Sequence, residues 1–220
     1  MKKPTFYNLT LVVLLLLLLL SASSFAQTYD PFTERVKVEV RGSMLVVGNN
    51  IIGENNLPFN DLTRDNQDVD MRYIDIDSDA STFSSSSAEI QLPPHEDGSA
   101  TDCYRVVYAG LYWAASLQSG DRSDINQVKF QLPGSSNYTD ITGEIVYDAI
   151  ASPIVAETSE PGNTPYACYA DVTDLVSGLT DIEGTYTIAN VNSSIGFSNS
   201  TGLSAGWSSL QQRGNIQLSV

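Results

Sequence analysis

The chain has 220 residues, with 11 Lys or Arg against 26 Asp or Glu, and a formal net charge of −15 at pH 7. This acidity argues against nucleic-acid binding and against electrostatic docking on anionic lipid, because both partners need a basic surface. The length suits a single domain that can bury a substantial core.

Residues 1–26 have the layout of a secretory signal peptide. Lys2 and Lys3 form a positive start, the run 9–20 is apolar except for one threonine, and small residues precede a cleavage point after Ala26. The alternative is a membrane anchor, but the run is shorter than the ~20 residues of a comfortable span. We therefore expect cleavage before Gln27, export from the cytoplasm, and no membrane insertion after cleavage.

The rest of the chain has the pattern of β-strands separated by turns. Residues 35–40 alternate valine with charged residues, which is the period-two signal of a half-buried strand. Further apolar or alternating runs lie at 44–47, 71–76, 88–92, 128–130, 141–147 and 185–191, the last of which closes the set. Segment 49–70 is polar and rich in Asn and Asp, which predicts a long surface loop.

Two further segments complete the prediction of the fold. The longest apolar run, 106–115, predicts a central strand that is buried on both faces. Only 171–178 has the pattern of a helical turn, and Gly178 ends it. Many short strands with turn residues between them predict an all-β fold, an antiparallel β-sandwich that is jelly-roll-like and carries long polar loops.

Alternate aspartates at Asp75, Asp77 and Asp79 give a candidate calcium site. The EF-hand pattern fails, because the positions that need Gly and Glu hold Ala80 and Ser86. If the segment is extended, the three carboxylates share one face, either as a solvated face or as a calcium site completed by another loop. The second loop would supply oxygens from one of two pairs, Asp65 and Asp68 or Asp121 and Asp124.

The chain has two cysteines, Cys103 and Cys168. An even number of cysteines in an exported chain is compatible with a disulfide, which would close a long loop and stabilise the fold by about 4 kcal/mol. Sequence alone does not bring the two sulfur atoms together, so paired and free cysteines both stay open.

Catalytic motifs find little support in the sequence. His95 is the single histidine and lies beside two prolines in a predicted loop, and the nucleophile-elbow and zinc-binding motifs are absent. The aromatic side chains at Tyr108, Tyr112, Trp113 and Trp207 lie in apolar contexts that favour the core over a sugar-stacking surface. We expect no catalytic residue and no enzyme activity.

Six co-linear segments carry a resemblance to a known group of proteins. They are 41–50, 73–88, 107–114 with its Leu-Tyr-Trp, 128–134 followed by 140–143, 166–173 with its Asp-Val-Thr, and 201–207. Together they resemble the N-terminal region of large secreted surface proteins of flavobacteria and related Bacteroidetes. Those proteins are described as adhesin-like or gliding-motility-associated and are exported by type IX secretion. A weaker similarity is to a domain of archaeal surface proteins.

The resemblance covers most of residues 40–207, implies an extracellular β-sandwich module and brings no catalytic residue. We predict that this module spans residues 27–207. The tail 208–220 departs from the pattern, because Gln211, Gln212 and Arg213 lie where the relatives are expected to have a buried apolar strand. We therefore expect a truncated or frameshifted chain with a missing central strand. A chain that ends at Val220 would stay in the periplasm rather than reach the surface.

These observations predict a non-catalytic module of a secreted or cell-surface protein that serves adhesion or gliding. The alternative is a carbohydrate-binding β-sandwich assisted by calcium, and an extracellular hydrolase is a more distant one. The expected partners are extracellular glycans or surface proteins.

Overall fold

A computed structural model describes residues 34–39, 42–54, 65–66, 68–94, 104–118, 120–151, 164–197 and 203–214. The described residues from Val36 onwards belong to one compact unit, and Glu34 and Arg35 belong to another. The predicted signal peptide, 1–26, lies outside the described residues.

The predicted all-β class is confirmed, with antiparallel sheets in a sandwich. The strands are β1 (Gly42–Asn50), β2 (Ile52–Glu54), β3 (Met71–Tyr73), β4 (Ser85–Ile90), β5 (Arg105–Ser116), β6 (Gln127–Gln131), β7 (Thr139–Thr142), β8 (Glu144–Asp148), β9 (Pro165–Asp171), β10 (Gly184–Ala189) and β11 (Ala205–Gly214). One short helix, α1 (Thr173–Ser177), follows β9 and is capped by Gly178, as the sequence predicts.

The larger sheet has the order β1-β11-β5-β9-β8, and the facing sheet has the order β4-β10-β6-β7. A two-stranded sheet, β2-β3, stands apart from both. When β2, β3 and β8 are set aside, the first and last strands are neighbours, and successive strands cross between the sheets except for β6 and β7, which pair in one sheet. This order is that of a jelly roll, in which two Greek keys form a double sheet.

The core lies between the two large sheets, where side chains alternate inward along each strand. From β5 it takes Leu111 and Trp113, and from the facing sheet it takes Phe130, Tyr186 and Ile188, all at most 1% exposed. The rings of Phe130 and Tyr186 stack with centroids 5.9 Å apart. β5 is central in its sheet and its core-facing side is buried, as predicted, whereas the opposite side is half-buried at Tyr112 and exposed at Ala114, so burial on both faces is confirmed only in part.

The structure corrects several predicted strand boundaries. Residues 34–39 form no strand and Val36 is exposed, so the alternation at 35–40 does not mark a paired strand among the described residues. The predicted strand 71–76 ends at Tyr73. The predicted loop 49–70 instead contains β2. Ile51 and Ile52 are apolar and pack into the core, where Ile51 is fully buried.

The expectation of a missing central strand is wrong. β11 lies between β1 and β5, and its backbone pairs with both from Ala205 to Gly214. The polar run at 211–213 does not interrupt the strand, because sheet pairing uses backbone groups that every residue but proline supplies. A register shift between Gln212 and Arg213 is the one local irregularity in its pairing with β5. The sandwich therefore extends past the predicted boundary at residue 207.

Candidate functional site

The chain crosses from one sheet to the other at Gly143, between β7 and β8. A side chain at this position would collide with the ring of Trp113 and the carbonyl oxygen of Tyr169. Glycine is required here because the backbone passes so close to its neighbours. The predicted single strand 141–147 is therefore two strands in two different sheets.

This crossing forms an open cleft of about 300 Å³. One wall is the crossing itself, residues 140–144, and the other is the end of β9, residues 169–171. Asp140, Glu144 and Asp171 give the cleft its negative charge, and Thr142 adds a hydroxyl group. We call these residues, 140–144 and 169–171, the crossing cleft.

The three carboxylates of the crossing cleft have different surroundings. Asp140 is 85% exposed and forms an ion pair with Nζ of Lys129 at 2.7 Å. Asp171 accepts a hydrogen bond of 2.9 Å from the backbone amide of Thr173, which fixes the start of α1. Glu144 opens β8 and is exposed. All three carboxylates are exposed, and Asp140 and Glu144 lie on the crossing itself.

A cluster of three tyrosines, Tyr108, Tyr112 and Tyr169, adjoins the crossing cleft. They lie on the face of β5 and β9 opposite the core, since Leu111, Trp113 and Cys168 alternate with them and point inward. The hydroxyl of Tyr108 donates to that of Tyr169 at 3.1 Å and lies 3.3 Å from that of Tyr112. Tyr169 is shared between the tyrosine cluster and the crossing cleft.

Glycine makes room for the tyrosine cluster. A side chain at Gly110 would lie 2.6 Å from the hydroxyl oxygen of Tyr108 and 3.0 Å from the ring of Tyr112. The pKa of Tyr108 is raised to about 12, mainly by burial, while its hydrogen bond with Tyr112 lowers the pKa and its hydrogen bond with Tyr169 raises it. Tyr108 is therefore a neutral hydrogen-bonding group at ordinary pH.

The aspartates of the predicted calcium site lie in a series of turns between β3 and β4. Their carboxylates accept hydrogen bonds from nearby backbone amides: Asp75 from Ser78, Asp77 from Asp79, and Asp79 from Ser81. The expectation of an extended segment with three carboxylates on one face is wrong, because these turns give each carboxylate its own backbone partner.

Asp77 is held most firmly. It accepts hydrogen bonds from the hydroxyl groups of Thr82 and Tyr138. Burial raises its pKa, but the bonds from Tyr138, the Asp79 amide and Thr82 outweigh that effect, so the pKa lies below its ordinary value. Asp77 is therefore a structural acceptor that links the turns to the loop before β7.

Within the described ranges, no group of three or more His, Cys, Asp or Glu side chains could hold a metal ion. One pair of the predicted second-loop carboxylates already has local hydrogen-bond donors. Asp121 accepts a hydrogen bond from the backbone amide of Ser123, and Asp124 accepts one from the side-chain amide of Asn192. The geometry of the described residues therefore lends calcium binding no support.

Cys168 carries a buried free thiol, 1% exposed, and its Sγ lies 3.4 Å from the carbonyl oxygen of Ile125. Trp113 donates to the same carbonyl at 2.8 Å. Burial raises the pKa of the Cys168 thiol to about 12. Cys103, the predicted disulfide partner, lies outside the described residues.

The remaining predicted residues divide between the core and the tyrosine cluster. Trp113 and Trp207 belong to the hydrophobic core, as expected. Tyr108 and Tyr112, also assigned to the core by the sequence, lie on the opposite face of β5, and Tyr112 is half-buried. His95 lies outside the described residues.

Comparisons with protein families, curated proteins and solved structures find no match to this chain. The resemblance to bacterial surface proteins therefore stays a prediction. In the part of the chain that the structure describes, no helix is long and apolar enough to cross a membrane.

Sequence reasoning missed Tyr169 and the crossing cleft. The sequence contains two relevant features. Tyr108 and Tyr112 lie an odd number of residues from Leu111 and Trp113, so the two pairs lie on opposite faces of one strand. Gly143 interrupts the predicted strand 141–147. The odd spacing separates two faces of β5, but only the register of β9 brings Tyr169 alongside Tyr112.

Proposed function

We propose that this chain is a non-catalytic binding module of a secreted or cell-surface protein and serves adhesion or gliding. The observation that carries the proposal is an open acidic cleft on a rigid β-sandwich, at the point where the chain changes sheets. The leader sequence and the acidic composition support a place outside the cytoplasm.

Adhesion is tested with beads that carry the mature chain, residues 27–220. We expect these beads to be retained under flow on surfaces coated with polysaccharide or with surface protein, while beads with an unrelated acidic domain wash off. No soluble product should be released from the coating. Equal loss of both kinds of bead on every surface would contradict adhesion, and released reducing sugars or peptides would contradict a non-catalytic role.

A second candidate function is carbohydrate binding in the crossing cleft. The observation that favours it is the combination of exposed carboxylates at Asp140 and Glu144 with the hydroxyl of Thr142 and the neighbouring Tyr169. Carboxylates accept hydrogen bonds from sugar hydroxyl groups, and tyrosine offers an apolar ring with a polar end.

A glycan array tests carbohydrate binding, with and without calcium. Binding should fall in Asp140→Ala and Glu144→Ala and persist in Glu89→Ala, which removes an exposed carboxylate of β4 away from the cleft. Because no metal-binding group was found among the described acids, we expect a chelator to leave binding unchanged. Equal binding by all three variants would exclude the crossing cleft as the sugar site.

A further inference from the structure

The tyrosine cluster brings two phenol rings together across a strand pair. Tyr112 of β5 and Tyr169 of β9 are direct partners in the register of the larger sheet. Their ring centroids are 5.0 Å apart with planes tilted by 44°, a separation at which ring edges touch. The two rings are therefore held in contact by the sheet itself and need no loop movement to meet.

Tyr108 completes the arrangement through its hydroxyl group. It lies within hydrogen-bonding distance of both other phenols, at 3.1 Å from the Tyr169 hydroxyl and 3.3 Å from that of Tyr112. Hydrogen-bonded phenols lose an electron most readily when the hydroxyl proton can leave at the same time. The network offers such a path, and the half-buried Tyr112 is the most accessible of the three.

We propose that the tyrosine cluster is an oxidative cross-linking site, at which a one-electron oxidant joins the rings of Tyr112 and Tyr169 into dityrosine. The product would be a covalent staple between β5 and β9. The ring contact and the hydrogen bonds of the tyrosine cluster support this proposal, and it does not depend on ligand binding in the crossing cleft.

The coupling of the two rings is a two-electron oxidation. Each phenol gives up one electron and its hydroxyl proton, and the two phenoxyl radicals couple through the ring carbons next to the oxygens. The hydrogens on those carbons then pass to the oxygens, which restores both hydroxyl groups. The net loss is two electrons and two protons. The electrons go to the oxidant, and the protons go to the buffer.

Mild photochemical oxidation of the purified mature chain tests the proposal. Ruthenium tris-bipyridine is the sensitiser, and persulfate accepts the two electrons to become two sulfate ions. At low protein concentration we expect dityrosine fluorescence, a monomer mass lower by two hydrogens, and a cross-linked peptide pair that contains Tyr112 and Tyr169.

Phenylalanine variants keep the rings and remove the chemistry, so folding is preserved while the site is lost. Tyr112→Phe and Tyr169→Phe should each reduce the monomer product to the background of unoxidised protein. The matched control is Tyr138→Phe, since Tyr138 lies outside the tyrosine cluster and bonds to Asp77. A product that maps to another pair, Tyr108 with Tyr169 included, that forms only between molecules, or that survives in Tyr112→Phe would overturn the proposal.

Discussion

Arg122 joins three separate segments through one side chain. Its guanidinium group binds both carboxylate oxygens of Asp148, at 2.7 and 3.3 Å, and donates to the carbonyl oxygens of Leu117 and Thr164. It also lies 5.7 Å from the ring centroid of Tyr166. The two charged side chains are only 15% and 13% exposed, so this is a nearly buried, bidentate ion pair.

We predict that Arg122→Met destabilises the fold by roughly 3 kcal/mol, because Asp148 would keep a buried charge without its partner. The measurement is the free energy of unfolding in urea. The control is Lys129→Met, which breaks an ion pair with the 85% exposed Asp140 and should cost below about 1 kcal/mol. Similar losses in the two variants would contradict the importance of burial.

The thiol of Cys168 should be inert in the folded protein. Burial raises its pKa to about 12, so the reactive thiolate is scarce at neutral and mildly alkaline pH. In a Cys103→Ser variant at about pH 8, near the ordinary cysteine pKa, we expect alkylation only after unfolding in urea. Rapid alkylation of the native variant would show that Cys168 is accessible.

At the scale of elements, the crossing at Gly143 is the most constrained connection. Gly143→Ala would push a methyl group into Trp113 and the Tyr169 carbonyl, and we predict a loss of about 1–3 kcal/mol from overpacking. The control is Gly178→Ala, where the nearest atoms lie at 3.4 Å or more and the backbone is helical. That control should be neutral or slightly stabilising, and unfolding in urea measures both variants.

Most strands were predictable from the sequence, but β2, β9 and β11 were missed, and the strand partners were not predictable. The apolar run at 106–115 marks β5, and the alternation of Val128 and Phe130 with Lys129 marks β6. Alternation at 35–40 has the same signal but no paired strand among the described residues. β11 shows the converse, since a polar run still pairs through its backbone. The periodicity of apolar residues indicates which face of a sheet a side chain lies on. The pairing partner of a strand depends on the topology of the whole fold.

The candidate site was less predictable than the fold for the same reason. Asp75, Asp77 and Asp79 form a local sequence pattern that suggests a metal site. In the structure, their carboxylates accept hydrogen bonds from backbone amides of local turns. The crossing cleft joins residues 140–144 to 169–171, which no local pattern connects. Only the register of β9 against β5 and β8 places Tyr169 beside both the cleft and Tyr112.

At the scale of the whole molecule, the buried tyrosines make stability sensitive to alkali. Burial raises the pKa of Tyr108 to about 12 and also raises that of Tyr166, whereas an unfolded tyrosine ionises near pH ~10. The folded state keeps these protons when the unfolded state loses them. Stability is therefore complete below about pH 10 and is lost as pH rises from there towards about 12.

Urea unfolding at a series of alkaline pH values measures this effect. We predict a steady fall in the free energy of unfolding above about pH 10, and a shallower fall in Tyr108→Phe, which removes one titrating group. A constant free energy across this range would show that the phenols are not protected by the fold.

The central position of β11 affects the order in which the larger sheet can fold. This strand lies between β1 and β5, so the middle of the larger sheet is supplied by the last strand described along the chain. While the ribosome is still making the preceding residues, β1 has no described neighbour in that sheet. Closing such distant pairings costs loop entropy before contacts reward it, which makes folding slow. The larger sheet therefore cannot close until β11, the last described strand, has left the ribosome.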